Sequence, residues 1–367
     1  MQTAPSIAAS KPQRNYGIDL LRIVSMIMIV TLHVLGHGGV LKNTVPLSYR
    51  YEVAWFLETA SYCAVNCYAI ISGYVAIKSK FKYSNIIYLW LQVAFYTVLI
   101  SVIDAILSPN TGTAEVIKAF FPVSNRFYWY FTAYFCIYFF TPIINKGFEL
   151  LTNKQLKAIG VAIFGLFCII PFLADKDTFN LNDGYTPIWL LMLYIFGGII
   201  NKCNLFSNLK AWTAMLLYFL MVVLTWGERL VCDYLNANAL LDEPAKVMLT
   251  NYTSPTVFFA AVFLFIGFSK LKIGKISAKL IAFFAPASFG VYIIHVNPNI
   301  WQNFLKARYV FIAKFGTIKL SVAVILAVAS IFFVCIFADL LREQLFKLLR
   351  VKKIIQKAEN RFIKNIW

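Results

Sequence analysis

Charge is what this sequence has least of. Of 367 residues only 14% are charged against 60% hydrophobic, and the charged groups are lopsided, 16 acidic against 34 basic. So small a charged fraction excludes an ordinary soluble domain of this length and leaves a polytopic membrane protein. Cysteine is sparse and odd in number, seven in all. Most of the seven fall inside apolar runs, so they read as small packing residues and not as a disulfide framework. Cys63 and Cys67 stand one helical turn apart, but no further ligand-like neighbours make a metal site credible. No Walker loop, dinucleotide-binding glycine pattern or metal-ligand spacing occurs anywhere, and no metal is expected. No small-residue cleavage site follows the first apolar run, which is therefore expected to be retained as an uncleaved anchor. No stretch is rich enough in Pro or Ser to serve as an interdomain linker.

What is present is a succession of ten apolar segments, at approximately 18–37, 54–77, 84–107, 128–144, 158–174, 187–200, 211–228, 254–268, 281–296 and 320–340. Each is near the length needed to cross about 30 Å of hydrocarbon, with the sixth and eighth marginal. The expected fold is an all-α, polytopic transmembrane bundle of about ten spans. With the N-terminus placed in the cytoplasm, cytoplasmic segments carry twenty-two of the Lys and Arg residues and the opposite side eleven, Arg22 making up the remainder. That bias obeys the positive-inside rule and predicts both termini to be cytoplasmic. The basic excess is thereby read as an orientation signal, with no nucleic-acid partner. Residues 1–340 are expected to form one membrane domain. In the tail, 341–367, apolar positions Leu341, Leu345, Leu348, Ile355, Phe362 and Ile366 alternate with Lys and Arg at roughly helical spacing, the pattern of an interfacial helix on an anionic leaflet.

The first segment breaks the rule of apolar spans. "GIDLLRIVSMIMIVTLHVLGHGG" carries Asp19, Arg22, His33 and His37, although a charged group at the bilayer centre costs roughly 2.5–3.5 kcal/mol. At 100° per residue all four fall within about 60° of Arg22, on one face of a helix. Arg22 and His33 are eleven residues apart, almost three turns and about 16 Å along the axis. Asp19 and Arg22 alone would be explained by snorkelling to the interface. The histidines are harder to dismiss, because the chain has three in all and the third, His295, ends the ninth segment on the same side as His33. Imidazole titrates where it can take a proton from a hydroxyl and hand it on.

At this point the residues resemble a known family. "IDLLRIVSMIMIVTLH", Ile18 to His33, is similar to the first-helix signature of the acyltransferase family 3 membrane proteins, in which an Arg is followed eleven residues later by a His. "YAIISGY" (Tyr68 to Tyr74) resembles the family's Ser-Gly-aromatic motif, "FYWYFTAYFCIYFFTP" (Phe127 to Pro142) its Trp-containing fourth-helix segment, and "ASFGVYIIH" (Ala287 to His295) its late helix ending in His. The resemblance implies transfer of an acyl group, usually acetyl, from an acyl-coenzyme A to a hydroxyl of a sugar or other envelope molecule. The acceptor would be a surface polysaccharide or lipid-linked sugar, and the protein a bacterial plasma-membrane O-acetyltransferase.

Carried over residue by residue, His33 matches the catalytic histidine and Arg22 its partner, with His295 completing the site and Asp19 holding Arg22. Where relatives have a basic pair inside the second helix, "IKSKFK" offers Lys78, Lys80 and Lys82, which bind donor phosphate as point charges without the guanidinium fork. Ser72 and Gly73 are either close-packing residues or part of the donor-binding surface. Trp129 is either a belt aromatic or a wall for a sugar ring. Glu58 is either solvated or orients a histidine, and His37 lies outside the signature. His33 would act as general base or carry the acyl group as an acyl-imidazole. Without an appended hydrolase-like domain, transfer is either direct or passes to a separate partner transferase. Two other readings use the same residues. A small-solute transporter would use the polar stripe as its path and need no coenzyme A, and a non-catalytic membrane partner module would not need His33.

Overall fold

A computed structural model describes residues 14–107 and 112–366. The elements are helical, and no strand occurs among the described residues. In chain order the main helices are α1 (Tyr16–Leu35), α2 (Tyr49–Ser61), α3 (Ala64–Ala76), α4 (Tyr83–Leu107), α5 (Thr113–Ala119), α6 (Trp129–Leu150), α7 (Asn153–Leu173), α8 (Pro187–Lys202), α9 (Ala211–Ala237), α10 (Pro255–Ser269), α11 (Lys275–His295), α12 (Thr317–Leu348) and α13 (Val351–Ile366).

Local chemistry sets the helix starts. Asn15 caps α1 by accepting from the backbone N–H groups of Gly17 (2.9 Å) and Ile18 (3.2 Å), and Asp19 in the first turn complements the positive end of the helix dipole. α8 begins with Thr186 as cap and Pro187 at the first helical position, and α10 repeats the Pro device at Pro255, where the missing N–H costs nothing. In α7, Thr152 and Gln155 form a reciprocal capping box, and a single π turn at Gly165–Ile169 precedes Pro171.

All ten predicted apolar segments are helical, yet they are not alike. Among the described residues six helices (α1, α4, α7, α9, α11 and α12) are long and apolar enough to cross a bilayer, while α8 and α10 are shorter apolar helices. The segment predicted as one run over 54–77 is two helices, broken at Tyr62 and Cys63. The break turns Glu58, Tyr62 and Val65 toward an interior cavity. α6 is helical over the predicted range but aromatic and polar in composition, because one side of it lines cavities and not lipid. α9 and α12 show the opposite character. Leu216, Phe219 and Leu220 on α9 and Ile325, Leu326 and Val334 on α12 are exposed, and so continuous an apolar surface is compatible with lipid and not with water.

α1 runs through the middle, packed against α2, α3, α10, α11 and α12, which is why its polar face meets protein. The closest crossing is that of α3 with α8, where glycines replace side chains. Gly73 faces the Tyr194 carbonyl and Gly197 the Ile70 carbonyl, a small-residue crossing of the kind that lets helix backbones approach in membranes, and Gly198 beside them admits the Phe148 ring of α6. The same region is pinned by fully buried Asn66, which donates to the Tyr252 carbonyl (2.8 Å) and accepts from the Trp189 indole N–H (3.0 Å). Asn66→Ala strands both partners, and each stranded group costs about 1–3 kcal/mol. A lowered melting temperature in detergent, restored in part by Asn66→Gln, is the expected result.

Candidate functional site

The polar face of α1 opens onto two cavities, one at each end. At the His33 end lies a cavity of about 380 Å³ bounded by α1, α2, α3, α6, α11 and the loop segments around Tyr185, Tyr252 and Trp301. At the Arg22 end lies a second of about 390 Å³, between α1, α3, α4, α6 and α8.

The upper cavity is organised by a chain of three groups. His295, buried, places its Nδ1 2.5 Å from the Val291 carbonyl oxygen one turn back on α11. A carbonyl only accepts, so Nδ1 carries the hydrogen, and the neutral ring then presents Nε2 as an acceptor. His33 Nδ1 lies 2.8 Å from that Nε2 and so donates to it. The tautomers, assigned from these partners, leave His33 Nε2 with its lone pair free in the ring that lines the cavity. Chemically, such a nitrogen can take a proton from a hydroxyl, with the Nδ1 side of the ring held by His295.

Trp301 roofs the pair. Its ring meets His33 edge-on at 4.7 Å and stacks on His37 at 4.0 Å. The segment carrying it is tied to the end of α1 by Ala307 N–H to the His37 carbonyl (3.0 Å) and Tyr309 N–H to the Gly38 carbonyl (2.9 Å). Glu58 is buried in the cavity wall, its Oε2 meeting no hydrogen-bonding group among the described residues. Trp129 also faces this cavity, packed at 4.8 Å on Tyr185 and stacked at 6.3 Å on Tyr252. Much of the remaining wall is tyrosine: Tyr62, Tyr68, Tyr130, Tyr252 and Tyr292. An apolar, ring-lined hollow with a few polar groups aimed inward is the usual build of a small-molecule site.

At the lower end Asp19 bridges two guanidinium groups, Arg22 Nη1 and Arg14 Nε, each at 2.5 Å. Arg22 lines the lower cavity with Ser72, Lys80 and Asn85. Of the three lysines in "IKSKFK", Lys80 forms part of this wall, while Lys78 and Lys82 are exposed outside it. Ser72 bonds the Tyr68 carbonyl (2.8 Å); Gly73 is buried against α8. Between the cavities stands Tyr68, whose hydroxyl donates to the Arg22 carbonyl at 2.7 Å. Its ring meets Tyr130 at 6.3 Å, and Tyr130 meets Tyr292 at 6.2 Å.

Two cavities thus share one face of α1, a histidine pair at one and an arginine at the other. Residues 15–340 match the family model described as an acyltransferase domain, Acyl_transf_3. The chain belongs to acyltransferase family 3. No curated protein and no solved structure matches it. This membrane acyltransferase therefore has both cavities, and each residue predicted from the first-helix signature, inside the matched span.

Sequence reasoning did not reach several wall residues. Tyr62 comes from a helix break, Tyr185 and Tyr252 from loops and Trp301 from the short helical turn Trp301–Leu305, where no periodicity marks a face. Tyr292 was visible only as part of the late "ASFGVYIIH" motif, three residues before His295.

Proposed function

We propose that this acyltransferase moves an acetyl group from acetyl-CoA to a hydroxyl of a bacterial cell-envelope glycan or its lipid-linked precursor. The single observation that carries the reading is the hydrogen-bonded series from the Val291 carbonyl through His295 to His33, with a free imidazole nitrogen on a cavity and Arg22 at the far end of the same face. In this reading the bundle crosses the plasma membrane ten times with both termini cytoplasmic, which puts the Arg22 cavity toward the compartment that supplies coenzyme A.

The donor enters at Arg22, Ser72 and Lys80, with Lys78 and Lys82 drawing its phosphates to the mouth by long-range attraction. Its pantetheine arm passes Tyr68 and brings the thioester to His33, a run of about 16 Å along α1. The acceptor lies among the tyrosines, Trp129 and Trp301, with Glu58 accepting from one of its hydroxyls. As the reacting oxygen attacks the thioester carbonyl its proton passes to His33 Nε2; the ester C–O bond forms, the C–S bond breaks and the proton leaves on the thiol. Asp19 holds Arg22 in place, and His37 keeps Trp301 over the site. The acceptor is either acylated directly or reached through a separate partner transferase.

The test is thermal unfolding of the detergent-purified protein with and without acetyl-CoA. A ligand bound only by the folded state adds RT ln(1 + [L]/Kd), about 2.7 kcal/mol at a hundredfold excess over Kd. An upward shift is expected, reduced in the Lys78, Lys80, Lys82→Ala triple variant and reduced nearly as far by Lys80→Ala alone. Absence of a shift with every acyl-CoA tried would sink the reading and favour flux measurements for a transported solute.

A further inference from the structure

The cavity lined by Arg22 is poor in cations for a ligand that carries a diphosphate and a phosphomonoester. Its wall holds Arg22, already paired with Asp19, and Lys80. Across Tyr88 and Gln92, which line both, lies a hollow of about 640 Å³ in the elbow where α12 turns into α13. Arg342, Lys347, Arg350, Lys352 and Lys353 stand on its wall against one carboxylate, that of Glu343.

The floor of the elbow is built, not a chance gathering of surface lysines. Asp339, fully buried, accepts from Arg342 Nε (2.9 Å) and Nη2 (2.8 Å), from Gln92 Nε2 (3.1 Å) and from the Tyr96 hydroxyl (3.1 Å). Arg342 Nη1 reaches the Tyr88 hydroxyl at 3.3 Å. Gly290 of α11 leaves room for the Asp339 carboxyl, which a Cβ there would strike. Glu343 is engaged by Lys347 at 2.8 Å. Arg350, Lys352 and Lys353 therefore find no carboxylate left in the wall, and a concave site with surplus positive charge attracts a polyanion. All five cations follow residue 340, where the family match ends.

We propose that this elbow binds the phosphates at the nucleotide end of the donor, so that a coenzyme-A-type molecule lies across Tyr88 and Gln92 with its acyl end directed toward His33. The assignment rests on the donor reading above. An anionic lipid headgroup presents similar phosphate chemistry, but the wall shared with the Arg22 cavity favours a ligand long enough to occupy both.

Removal of one phosphate separates the cases. Binding of acetyl-CoA and of acetyl-3′-dephospho-CoA is measured for the full-length protein in nanodiscs of zwitterionic lipid, as wild type and as the Arg350→Gln, Lys352→Gln, Lys353→Gln variant. All three positions are exposed, so the fold is expected to survive; Lys352→Gln alone serves if the triple variant is unstable. Wild type is expected to prefer acetyl-CoA by about tenfold, equivalent to about 1.4 kcal/mol, and the triple variant to lose most of that preference. A preference that persists unchanged in the variant overturns the proposal while the donor reading stands. The proposal is likewise overturned if the variant differs from wild type only in nanodiscs containing anionic lipid. Failure of wild type to bind any acyl-CoA removes the donor reading itself.

Discussion

Replacing His33 by alanine is expected to lower acetyl transfer by about 10²–10⁴-fold, the usual range for a positioned general base, with little change in melting temperature. His33 sits at a cavity wall, so its removal enlarges a space already present and does not strip a packed core. The measurement is incorporation of labelled acetyl from acetyl-CoA into an envelope extract, alongside unfolding of the purified variant. Activity retained in His33→Ala would end the catalytic assignment and favour a non-catalytic module. His295 offers a sharper probe, because its proposed role passes through His33. His295→Ala leaves the His33 Nδ1 hydrogen without its acceptor at 2.8 Å and frees the ring to change tautomer, whereas His295→Gln supplies an amide oxygen near the same place. The glutamine variant is expected to keep more activity than the alanine variant, with a shifted pH–rate profile, an effect that simple loss of packing would not produce.

Gly73→Ala is expected to be the most damaging of the conservative changes to the fold. A methyl group at this position falls onto the Tyr194 carbonyl, backbone that cannot rotate aside, so α3 and α8 must part. Overpacking of this kind costs typically about 1–3 kcal/mol, and here the displaced helix also carries Ser72 and Tyr68. Gly227→Ala in α9 is the control, since a Cβ there meets nothing within 4 Å. That substitution is expected to be neutral or to stabilise the helix by up to about 1 kcal/mol. Paired unfolding curves in one detergent distinguish the two, and equal melting temperatures would refute the crossing as a tight contact. Loss of acetyl-CoA binding in Gly73→Ala, with binding kept in Ser72→Ala, would trace the "SG" motif's importance to helix approach and not to direct contact with the donor.

The contrast between Ser72 and Gly73 shows where reading the chain by itself stops. Small residues side by side on an apolar helix are compatible with packing and with ligand contact alike. The helix that arrives opposite them decides which role each takes, and no local pattern in 68–74 specifies α8. The three lysines of "IKSKFK" behave in the same way: their charge and approximate place are legible, but that Lys80 reaches the cavity wall while Lys78 and Lys82 do not follows from how the turn after α3 is laid against α4 and α6.

The sequence alone determined what depends on near neighbours. Helical class, the ten apolar segments and the shared face of Asp19, Arg22, His33 and His37 follow from composition and from 100° per residue, a geometry fixed by backbone hydrogen bonds four residues apart. The spacing of Arg22 and His33 follows from the same rise per residue. Tertiary structure alone decided the contacts made across the chain. His33 meets His295 over a separation of 262 residues, and Trp301 closes over His33 and His37 from a short helical turn with no periodic signal. The segment over 54–77 breaks at Tyr62 to aim Glu58 inward, and the cations of the α12–α13 elbow gather beside Tyr88 and Gln92. Those arrangements come from packing helices whose apolar faces are chemically alike, so that small residues, breaks and buried polar bonds choose the partners where hydrophobicity does not discriminate.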